Sequence, residues 1–100
     1  MKNKLLAMGY KPVETKLSCL DESIFLRQMS YKGVLALAKC INPTERSIIL
    51  TIYSLCDEQG NLVFTEDDKE TVSEIPYQVI SEIAFEAAKL TNFDDKNILK

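Results

Sequence analysis

The sequence predicts an α+β fold that is mostly α: a short N-terminal β-hairpin followed by about four helices, with residues 1–100 forming one small domain. Three observations lead there. Val13, Thr15, Leu17 and Cys19 alternate with Glu14, Lys16 and Ser18, the period of a half-buried strand. Beyond residue 30, apolar residues recur at spacings of three and four, as on the face of an amphipathic helix. Asn42-Pro43-Thr44-Glu45 is a helix-start signal, in which asparagine caps, proline suits the first helical position and glutamate reaches back to the cap amide.

Residues 1–12 have no clear period, and Gly9 and Pro12 interrupt them; they are expected to be an arm or a frayed end. Val13 to Met29 reads as two strands joined by a turn at Asp21-Glu22-Ser23. A lone hairpin is marginal in water, so it must pack on helices or pair with another chain. Ser30 caps a first helix of about Tyr31–Cys40, in which Val34, Leu35, Leu37, Ala38 and Ile41 are expected to supply the buried face. Gly33 weakens its first turn by up to about 1 kcal/mol relative to alanine. The second helix should run from Pro43 to about Cys56, burying Ile48, Ile49, Ile52, Leu55 and Cys56, with Arg46, Ser47, Thr51 and Ser54 outside.

The stretch Asp57–Asp68 follows, reading DEQGNLVFTEDD. Gln59-Gly60-Asn61 supplies turn residues. Leu62, Val63 and Phe64 must go inward or into a partner. Thr65 caps a short third helix ending near Ser73, with Asp68 as its capping-box partner. Acids in a first turn favour the helix dipole, so Glu66, Asp67 and Asp68 need no ligand to explain them. A fourth helix should span about Pro76–Thr91. Tyr77, Val79, Ile80, Ile83, Ala84, Ala87 and Ala88 form its wide stripe, and Phe85 and Leu90 form a second patch. A helix apolar on more than one side lies deep in a core or meets a partner. Leu62, Val63, Phe64, Phe85 and Leu90 are therefore the candidate interaction residues. A polar tail, 93–100, closes the chain, with Phe93, Ile98 and Leu99 as late anchors.

Composition narrows the chemistry. The chain is 46% hydrophobic and 27% charged, too apolar for a disordered segment. Its net charge of -3 argues against a surface built for nucleic acid. Charge is uneven: residues 1–16 hold four lysines against Glu14, whereas residues 57–70 hold six acids against Lys69. These two regions attract each other between copies, or are simply two solvated surfaces. Histidine is absent, which removes the commonest general base and the usual activator of a serine or cysteine nucleophile. Cys19, Cys40 and Cys56 have no CxxC spacing and sit in apolar runs, so they are expected as buried free thiols in a reducing compartment. The first apolar run is too short for a signal peptide or a membrane span, and a cytosolic protein is expected.

Asp57–Asp68 has the length of a calcium loop between two helices, but Leu62 stands where such a loop needs glycine and Asp68 where it needs glutamate. No metal, cofactor or catalytic set is expected, and the chain reads as a non-enzyme.

The arrangement resembles a known family. A two-strand start leads through Arg27-Gln28-Met29-Ser30 into a helix. A core helix ends in the phrase carried by Asp57, Glu58, Gly60, Phe64, Thr65 and Asp68, and the last helix ends in Leu90-Thr91-Asn92. This is similar to the tail assembly chaperones of long-tailed bacteriophages over residues 13–93. The resemblance implies a helical domain that self-associates into rings or spirals. It implies a chain that coats the tape measure protein, helps recruit the tail tube protein, works in the host cytoplasm and is absent from the finished virion. The hairpin edge or Leu62-Val63-Phe64 is expected to contribute to the self-contact. Residues 1–12 lie outside the pattern, and Gly33 departs from it. The alternative is a small phage or bacterial adaptor that binds one partner protein through the last helix.

Overall fold

The computed structural model describes residues 1–7 and 11–91. The elements in order are α1 (Lys2–Ala7), β1 (Val13–Lys16), β2 (Ser23–Leu26), α2 (Tyr31–Ala38), α3 (Pro43–Ser54), β3 (Leu55–Cys56), a 3-10 turn (Glu66–Asp68), α4 (Lys69–Ser73) and α5 (Tyr77–Leu90). The fold is α+β and mostly α, as the sequence predicts. The strands form one antiparallel sheet in the order β1-β2-β3. The polar tail expected from residue 93, with Phe93, Ile98 and Leu99, lies outside the described residues.

The hairpin is shorter than its alternation suggests. Val13 pairs with Leu26 and Lys16 with Ser23, and Leu17 leaves the ladder to become a buried anchor. Leu17 joins Leu26 and Ile83 in a small core under the sheet, with Leu55, Val79 and Leu90 at its margin. The hairpin is therefore stabilised by α5. A second tie holds the two together, since Glu82 Oε1 accepts from Ser18 N at 2.9 Å and from Ser18 Oγ at 2.8 Å. In the opening segment, Lys2–Ala7 is helical where the sequence shows no period.

Helix α3 is the central element and packs against α2, α4 and α5. Its cap forms largely as expected: Asn42 Oδ1 accepts from Thr44 N at 2.9 Å. Glu45 instead faces Lys69 at 3.8 Å. Contrary to the amphipathic reading, Thr51 and Ser54 are fully buried. A central helix is covered on several sides, so its polar residues go inside with the rest. Thr51 Oγ1 settles there by donating to Ser47 O at 3.0 Å.

The helix also stops two residues early. Leu55 turns extended, and Leu55 and Cys56 pair with Leu26 and Phe25 of β2. An open strand edge offers these residues backbone partners that another helical turn would leave unused. The main core collects Met29, Leu37, Ile49, Ile52, Tyr53, Val72 and Ile80. Burying each large aliphatic side chain contributes about 1.5–3 kcal/mol.

Ser30 caps α2 as expected, with Oγ accepting from Gly33 N at 3.1 Å. The buried face of α2 is not the expected one. Only Gly33 and Leu37 are buried, whereas Leu35, Ala38 and Ile41 are exposed. Gly33 is the reason for this orientation. A Cβ on it would lie 2.8 Å from Tyr53 Cγ and 2.9 Å from Tyr53 Cβ. The apparent weakness in the helix is the point at which the backbone of α2 packs directly on the Tyr53 side chain of α3. Of the thiols, Cys56 is buried as expected, while Cys19 and Cys40 are half-exposed, and all three are free.

Candidate interaction surface

Asp57–Asp68 folds by local chemistry. Asp57 Oδ1 accepts from Gln59 N at 2.9 Å and from Asn61 N at 3.0 Å, closing a tight turn. Gly60 has φ of 87°, a conformation that favours glycine, and its carbonyl accepts from Arg27 Nη1 at 2.8 Å. The chain then returns along β3. Cys56 and Leu62 form an antiparallel bridge, and Val63 N donates to Leu55 O at 3.1 Å. The stretch thus adds one more bridge to the sheet edge. Thr65 N donates to Asp68 Oδ2 at 2.8 Å, and the capping box is complete. The acidic cluster starts the helical segment, and the Asp57 carboxylate is occupied by backbone amides.

The candidate interaction residues occupy three places. Leu62 and Phe64 are half-buried against the main core, and Val63 between them points outward. Leu90 packs half-buried against the small core. Phe85 is 63% exposed on the outer face of α5, with Lys89 Nζ 4.9 Å above its ring. The structure brings Leu62 and Phe64 together and places Phe85 and Leu90 on different sides of α5.

The outer face of α2 exposes Leu35 and Ile41, which the sequence places in the core, together with Tyr31. Tyr31 is 78% and Ile41 94% exposed, with Leu35 between them. Beside them runs an open groove of about 700 Å³, lined by Ala36, Cys40, Ile49 and Tyr53, with both lysines (Lys32, Lys39, Lys69) and acids (Glu45, Glu66) at its rim. A signal for this face was present in the sequence: Tyr31, Leu35 and Ala38 form an i, i+4, i+7 stripe that does not include Leu37. The end of α2 is finished by Arg46, whose Nη1 donates to Leu37 O at 3.0 Å and Cys40 O at 3.3 Å.

Titratable groups here serve structure. Tyr53 donates its hydroxyl to Glu66 Oε2 at 2.8 Å. Burial first, then the bond to Glu66 and its negative charge, push the phenol up to about 12. Burial also raises the Cys56 thiol. Beside Cys19, the Glu82 carboxylate raises the thiol, while the contacts with Cys19 and Ser18 hold Glu82 below the ordinary carboxylate range. Among the described residues no three acidic or cysteine side chains converge on a metal-sized site. No helix among them is long and apolar enough to cross a membrane. The surface offers apolar faces, a groove and charged rims, which suit binding to other proteins.

The structure of the bacteriophage HK97 tail assembly chaperone matches this one with a TM-score of 0.68 and 27% sequence identity. The match covers 94% of this chain and 97% of that one. The chain has the fold of a bacteriophage tail assembly chaperone. The resemblance carried by the Asp57–Asp68 phrase is thereby supported at the level of the whole chaperone fold, with neither protein contributing a large unmatched segment. No family model matches the chain, and no curated protein does.

Proposed function

We propose that the chain is a non-catalytic tail assembly chaperone of a long-tailed bacteriophage. In this reading it self-associates, holds the tape measure protein soluble, and helps recruit the tail tube protein. It acts in the host cytoplasm and leaves before the virion is complete. The observation that carries the reading is the match to the HK97 chaperone over nearly the full length of both chains. Exposed apolar side chains on two helices support it, because a chaperone needs accessible surface for a client.

The test is co-expression with the tape measure protein encoded by the same genome. The soluble fraction of the tape measure protein is expected to depend on this chain and to co-purify with it. Equal solubility with and without the chain, and no co-purification, would remove the proposal.

A further inference from the structure

We draw no further inference here: the strongest candidate, the groove of about 390 Å³ between the first turns of α3 and α5, lined by Ile48, Val72, Ile75 and Ile80, is an unpartnered apolar face with nothing in the structure to show what covers it.

Discussion

Gly33→Ala separates local from tertiary reasoning about this fold, because the two predict opposite signs. On helix propensity alone, alanine stabilises a helix by about 1 kcal/mol over glycine. In the structure the added methyl would sit 2.8 Å from Tyr53 Cγ and 2.9 Å from Tyr53 Cβ. Those atoms belong to the rigid base of the side chain, which cannot swing aside as a chain end would. Tyr53 is buried, and its hydroxyl is held by Glu66. Overpacking of this kind costs about 1–3 kcal/mol. Subtracting the propensity gain leaves a net loss of up to about 2 kcal/mol. In a domain of this size each kcal/mol moves the midpoint by about 4–8 °C. Thermal unfolding followed by circular dichroism reads it, and urea titration checks that the slope is unchanged. Tyr53→Ala in the Gly33→Ala background is expected to cost less than in wild type, because it removes the ring carbon that the methyl meets. A Gly33→Ala protein that melts above wild type would refute the close-approach argument.

Three further outcomes follow from the same geometry. Ser54→Ala is expected to be neutral or to stabilise by up to about 1 kcal/mol, because the Ser54 hydroxyl is fully buried with no hydrogen-bond partner among the described residues; a clear fall in the thermal midpoint would show that the hydroxyl is bonded in solution. Asp57→Ala is expected to cost about 1 kcal/mol by releasing Gln59 N and Asn61 N, read by chemical denaturation. Tyr53 sets an alkaline limit: its phenol is raised to about 12, so the folded state keeps a proton that the unfolded state sheds near 10. Its contribution is whole below pH 10 and is lost as pH rises towards 12, with a slope of at most about 1.4 kcal/mol per pH unit. Tyr53→Phe should flatten that part of the stability profile, and an unchanged profile would rule out Tyr53 as its source.

Legibility in the sequence tracks the distance between the partners in each interaction. The Ser30 cap, the Asn42 cap, the Gly60 turn and the Thr65–Asp68 box are all readable, because each donor and acceptor lie within a few residues. The ending of α4 at Ser73 follows from the same local chemistry. The buried side of α2 is a different matter. Its sequence carries two apolar stripes, one through Leu37 and one through Tyr31 and Leu35, and periodicity gives them similar weight. For the same reason the interaction residues read from the sequence include Phe85 but not Tyr31 or Ile41, which are more exposed.

The sequence by itself determined where the helices after residue 30 start, where the acidic turn lies, and that the acids of Asp57–Asp68 serve a turn and a cap, but it gave no sign of the helix at Lys2–Ala7. Tertiary structure decided that Leu55 and Cys56 finish as a strand, that Thr51 and Ser54 go inside, and which ridge of α2 faces solvent. The physical reason is that caps and turns are satisfied by backbone groups close in the chain. Strand pairing and close helix packing depend on residues far along it, such as Phe25 opposite Cys56 and Tyr53 against Gly33. The turn at Asp57–Asp68 needs only its own residues, whereas the exposed face of α2 exists because a glycine lets α3 come close enough to claim the other side.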